Sequence, residues 1–146
     1  MTRGERNNNP GNISYKAGFH GEIGLEVPPP GATYTARFGR YDTARKGIRA
    51  IAMQLLAYQN QHSLTTIQQF INRWAPASEN PTSAYCSAVA KAAGVSPTET
   101  CNLKWPDTLI AVVRAIITQE NGGCIYSPAD ISWACTDALV TSGVQL

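Results

Sequence analysis

The apolar residues change their period at Thr43, and that change constrains the fold more than any other feature. From there Ile48, Ile51, Ala52, Leu55, Leu56 and Tyr58 fall at helical spacing, which predicts an amphipathic helix over about 44–60. Leu64, Ile67, Phe70, Ile71 and Trp74 continue the pattern and predict a second helix over about 64–74. Asn80-Pro81, Ser96-Pro97 and Ser127-Pro128 each set a capping side chain before a proline, so helices are expected near 81, 97 and 128, the one at 97 short. The clearest stripe is Leu109, Val112, Val113, Ile116 and Ile117, closed by Gly122-Gly123, a helix over about 107–120.

Before Thr43 the pattern is different. The 12 glycines and 9 prolines concentrate there, and neither NNNPGN at 7–12 nor PPPG at 28–31 suits a helix. Residues 1–37 read as an irregular arm, with Phe19–Val27 and Thr33–Phe38 as short strands of a β-hairpin. The expected class is mainly α (α+β): one domain over 1–146, helical, with a small β-hairpin and irregular N-terminal flap. A hydrophobic fraction of 43% over 146 residues is that of a folded chain with one core.

Charge and cysteine usage narrow the function classes. The net charge is +2 and no lysine/arginine run exists, which argues against nucleic acid and suits an anionic polymer such as the bacterial wall. No apolar run approaches the ~20 residues of a membrane span, and MTRGERNNNP at 1–10 does not read as a signal peptide. Cys86, Cys101, Cys124 and Cys135 form no CxxC pair and lie far in sequence from His20 and His62, so no metal or other cofactor is expected. Sequence proximity favours two disulfides, Cys86–Cys101 and Cys124–Cys135, hence an oxidising compartment; four buried reduced thiols are the alternative.

Sugar cleavage needs a carboxylic acid that keeps its proton near neutral pH. Glu99 and Asp130 stand three residues after a serine and read as capping residues. Asp42 and Asp107 lie near helix starts, Glu79 precedes a cap, and Asp137 is expected on the outer face of the last helix. Glu120 continues the 109–117 stripe, so its side chain is expected at the core edge and at a helix C-terminus, two conditions that disfavour a carboxylate charge. An exposed glutamate in a fraying last turn fits the same position. Glu5 is the rival acid, flanked by Arg3 and Arg6, which favour its charged form. Glu22 and Glu26 alternate with Ile23 and Leu25 and are candidates for a second carboxylate over a cleft, or for a solvated hairpin face. No GxSxG elbow or phosphate-binding glycine loop is present; a cysteine nucleophile with His20 or His62 conflicts with paired cysteines.

RGERNNNPGNI at 3–13, FGRYDTARKGIRA at 38–50 and RWAPASENPTSAY at 73–85 resemble a group of phage and prophage proteins described as structural or virion proteins of the lysozyme-like superfamily. The likeness extends through QENGG at 119–123 and so covers nearly the whole chain. VVRAIITQENGG is also similar to the segment in bacterial glucosaminidases and lytic transglycosylases where the catalytic glutamate closes a helix. In those enzymes an asparagine-rich turn, a hairpin and an aromatic-x-x-tyrosine segment follow the glutamate. Here NNNPGNI, the hairpin and FGRYDT precede it, the order of a circular permutation. That relation requires the end of the 107–120 helix to pack against NNNPGNI.

The resemblance implies a lysozyme-like peptidoglycan glycoside hydrolase, with Asn8, Asn9 and Asn12 shaping a sugar cleft and Tyr34, Tyr41 and Tyr126 contacting sugars. Its substrate partner is peptidoglycan, and a monomer is expected. Without a signal peptide, two routes lead to the wall. One is a phage virion or lysis protein. The other, which the expected disulfides favour, is an antibacterial type VI secretion effector delivered to the periplasm of a target cell and met by a periplasmic immunity protein. A non-enzymatic virion structural or wall-binding module is the competing class.

Overall fold

In the computed structural model, which describes residues 1–76 and 82–146, the break at Thr43 separates two kinds of structure. Before it, a four-residue helix α1 (Arg3–Arg6), a 3-10 turn at Phe19–Gly21 and a two-stranded antiparallel ribbon, β1 (Gly24–Leu25) with β2 (Gly39–Arg40), are joined by loops. After it come α2 (Ala44–His62), α3 (Ile67–Trp74), α4 (Thr82–Ala93), α5 (Pro106–Asn121) and α6 (Pro128–Thr141). The expected class, helical with a small hairpin flap, is the one observed.

Capping explains most helix starts. Thr43 accepts from the Lys46 amide, Thr66 and Gln69 form a reciprocal capping box, and Ser127 caps α6 with Pro128 in its first turn; each such cap stabilises by about 1 kcal/mol. Gly122, at φ 74°, ends α5 in the left-handed conformation. The expected Asn80-Pro81 cap, with Glu79, lies outside the described residues.

Two sequence expectations are corrected here. No helix forms at 97: the Pro97 carbonyl accepts from Gln68, the Cys101 amide donates to Thr65, and Thr66 bridges to Thr100. Pairing to the start of α3 thus takes the backbone groups a helix would use, while Glu99 accepts from the Ser96 amide, as a capping residue does. The second strand lies at Gly39–Arg40 rather than within Thr33–Phe38, in register Gly24 with Arg40 and Leu25 with Gly39.

The core lies among the five long helices. Ile48, Ile51, Leu55, Phe70, Ile71, Val89, Leu109, Val113, Ile116, Ile117, Ile131 and Leu139 are all fully buried; each such side chain contributes about 1.5–3 kcal/mol. The helix α2 packs along α6, α4 against α5 and α3, and α5 against α6. Across the α2–α6 seam Arg45 pairs with Asp130, and Arg49 with Asp137, so Asp137 bonds across the seam rather than simply facing water.

All four cysteines are free thiols, which corrects the expected Cys86–Cys101 and Cys124–Cys135 bridges. Cys86, Cys101 and Cys135 are buried in the helical core. Burial pushes the Cys135 thiol up to about 12 and raises Cys86 and Cys101 as well. These three act as small apolar packing units, and the inference of an oxidising compartment loses its basis.

Candidate functional site

The tip of α5 is held by the asparagine loop. Gly47, within α2, lies so close to that loop that a Cβ there would stand 1.7 Å from the Asn8 carbonyl oxygen. Only glycine lets residues 7–12 rest on the helix. A Cβ on Gly11 would stand 2.7 Å from Ile51 and 2.8 Å from Trp74. The loop is pinned from within as well: Asn9, fully buried, donates to the Ile13 and Gly39 carbonyls and accepts from the Ile13 amide, and Asn8, at φ 51°, donates to the Tyr41 carbonyl.

Asn12 then turns, at φ 50°, and its Nδ2 donates to Glu120 Oε1 at 2.9 Å. From the opposite side Tyr85 of α4 donates its hydroxyl to Glu120 Oε2 at 3.0 Å. The neighbouring Asn121 donates to the Pro10 and Ile117 carbonyls and accepts from the Thr2 hydroxyl. Glu120 is therefore half-buried with each carboxyl oxygen engaged. The juxtaposition of the helix end with NNNPGNI that the permuted order requires is present.

Tyr85 is buried, and its phenol is pushed far up, first by burial and then by the Glu120 charge and the hydrogen bond to it. A hydroxyl so placed keeps its proton and can donate to a carboxylate or accept from a carboxylic acid. Beside Asn12 opens a groove of about 640 Å³. Asn12, Tyr15, Lys16, Arg73, Tyr58 and Trp74 are among its walls. Glu120 is not itself a wall residue; Asn12 connects it to the groove.

The other candidate acids are placed elsewhere. Glu5 closes a capping box on α1: it accepts from the Thr2 amide, and the Thr2 hydroxyl accepts from its own amide. The Thr2 amide and hydroxyl hold its carboxyl below the usual range. The flanking arginines do not pair with it, because Arg3 is drawn to Glu26 and Arg6 to the Tyr34 hydroxyl. The T-x-x-E pattern at 2–5 was a readable signal for this helix.

Glu22 and Glu26 do share one strand face, but the inner one, which corrects both expectations for them. They are 7% and 3% exposed, whereas Ile23 and Leu25 are 50% and 40% exposed. Burial tends to raise the Glu26 carboxyl, but hydrogen bonds from Arg3, the Phe38 and Arg37 amides and Asn7 hold it at about 2. Glu22 accepts from the Lys16 amide and lies over Gly39, where a Cβ would stand 2.1 Å from its Oε2. Neither lines the groove.

Of the sugar-contact candidates, Asn8 and Asn9 are committed to the backbone, and only Asn12 reaches the groove. Tyr41 is 2% exposed with its hydroxyl on the Phe19 carbonyl, so it has no face for a sugar. The Tyr34 ring lies under the Arg3 guanidinium at 3.7 Å. Tyr126 is half-buried, its phenol pushed up to about 12 by burial and by the charge of nearby Glu5, and its hydroxyl has no hydrogen-bond partner.

The fold and site define a small helical domain that presents one doubly held glutamate at a helix end beside a cleft. No protein-family model matches the sequence. The chain is 36% identical over 133 residues to Protein P5 of Pseudoalteromonas phage PM2, an alignment spanning 88% of this chain and 77% of that protein. It belongs to the family of that phage protein. Among the described residues no helix is long and apolar enough to cross a membrane.

Proposed function

We propose that the chain is a virion-associated enzyme that cleaves the β-1,4 glycan strand of peptidoglycan, with Glu120 as its general acid. The observation that carries this reading is the double hold on Glu120, by Asn12 Nδ2 and the Tyr85 hydroxyl, with Asn12 itself lining a groove of about 640 Å³. Glu120 gives its proton to the glycosidic oxygen as the anomeric carbon–oxygen bond breaks. Water, or a hydroxyl of the substrate itself, then adds to the anomeric carbon and loses its proton to the carboxylate. Asn12 and Tyr85 act as positioning residues: they fix the rotamer of Glu120, and Tyr85 bonds the acid and its conjugate base alike. The phage relative supports the virion route, and the free thiols remove the main support for a periplasmic effector with an immunity partner.

Turbidity loss of purified wall sacculi tests the reading. Wild type is expected to clear them, Glu120→Gln to lose at least about a hundredfold in rate, and Glu5→Gln to keep activity in proportion to its folded fraction. Clearing by Glu120→Gln at the wild-type rate excludes Glu120 as the acid. Retention on sacculi without clearing by wild type points instead to a non-enzymatic wall-binding module. Reducing or anhydro ends among the products distinguish attack by water from attack by the substrate hydroxyl.

A further inference from the structure

The described walls of the groove include basic side chains. Lys16, Arg37 and Arg73 line it, and among the described residues no aspartate or glutamate does. Outside the groove, four basic residues are held in ion pairs: Arg3 with Glu26, Arg45 with Asp130, Lys46 with Asp42 and Arg49 with Asp137. Lys16 and Arg73 make no ion pair among the described residues. Each instead lies over an aromatic ring, the Arg73 guanidinium 5.3 Å from the Tyr58 centroid and the Lys16 ammonium 5.6 Å from that of Phe19. Trp74 stands edge-on to Tyr58 at 6.4 Å. The exposed Tyr15 and the half-buried Trp74 share the wall with these cations, and Asn12 leads from it to Glu120.

We propose that this groove selects a β-1,4 amino-sugar strand by the carboxylates hanging from it, with Lys16 and Arg73 as the specificity-determining residues. The inference rests on the glycan-cleaving reading and narrows its substrate to acid-bearing strands over neutral ones. Wall glycan offers carboxylates from two sources, the lactyl group of the sugar and the stem peptide attached to it.

Binding to Glu120→Gln, which leaves substrate uncut, is measured by calorimetry with three probes. These are N-acetylglucosamine oligomers (no carboxylate), strands stripped of peptide by an amidase (lactyl carboxylate), and soluble peptide-bearing strands (stem carboxylates). At least one anionic probe is expected to bind about tenfold or more tighter than the neutral oligomer, with an advantage that shrinks as salt rises. The probe at which the advantage appears names the source. Adding Lys16→Gln or Arg73→Gln is expected to cut that advantage several-fold at an unchanged melting temperature. Arg114→Gln, on the exposed face of α5 beside a different cleft, controls for net charge and is expected to keep it.

Equal affinity for all three probes, or an advantage untouched by Lys16→Gln and Arg73→Gln, overturns the proposal; so does tighter binding of a single-stranded oligodeoxynucleotide than of any glycan. Failure here is separable from failure of the function: sacculi cleared without carboxylate preference leave the enzyme and sink the selectivity. Carboxylate preference without clearing does the reverse.

Discussion

At the scale of single residues, chemistry and architecture use the same residue types for opposite ends. Glu26 is buried and Glu120 half-buried, but Glu26 accepts from Arg3, Asn7 and two amides, whereas Glu120 meets one amide side chain and one phenol. A carboxylate bound to that many donors cannot serve as a proton donor. Its folded value of about 2 lies below its ordinary 4.5, so the stability it contributes is present above about pH 4.5 and is lost as the pH falls towards 2. Glu26→Gln is expected to destabilise by about 3 kcal/mol, the cost of breaking an ion pair whose carboxylate is buried and whose Arg3 is half-buried, and to flatten the acid limb of a stability–pH profile read by denaturant melts. A slope below pH 4 equal to wild type contradicts this role. Tyr85→Phe keeps the packing and removes the bond to Glu120; it is expected to slow sacculus clearing about tenfold, equivalent to about 1.4 kcal/mol, with little change in melting temperature.

At the scale of elements, the junction of α2 with the asparagine loop decides whether the site exists. Gly47 is a helix-interior glycine, which by propensity costs about 1 kcal/mol relative to alanine. Here a Cβ has no room, so the usual gain from Gly→Ala is reversed. Gly47→Ala is expected to destabilise by about 2 kcal/mol or more and to lower activity beyond the loss of folded protein, since Asn12 is displaced from Glu120. Thr66→Ala, which removes a cap remote from the groove, is expected to cost about 1 kcal/mol with activity per folded molecule intact. Comparing the two variants at equal folded fraction isolates the loop's contribution; equal specific activities count against it.

At the scale of the whole molecule, stability comes from one helical core without crosslinks. A reducing agent is therefore expected to leave the melting temperature unchanged, and thiol titration in denaturant to find four reactive groups, with Cys124, the half-buried one, reacting first in the native protein. A drop in melting temperature of several degrees on reduction establishes bridges the fold does not show. The arm before Thr43, although poor in regular structure, has no independent core: its buried polar groups Asn7, Asn9, Glu22 and Glu26 bond within the flap. Severing it is expected to abolish activity even where the helices persist by circular dichroism.

The helical body was legible in the chain because amphipathic periodicity and capping act over a few residues: α2 and α5 begin and end within about two residues of where apolar spacing and glycine stops place them, and α6 begins at the proline after its serine cap. Glu120 was legible as a residue at the core edge for the same reason. What only the tertiary structure decided are matters of long-range partnership. Sequence spacing cannot say that Arg3 would choose Glu26 over Glu5, which of the hairpin's two faces turns inward, that Tyr85 would reach Glu120, or that the cysteines would lie apart as thiols. Each depends on which donors and walls other elements bring within about 3 Å, and no local preference along the chain encodes that distance.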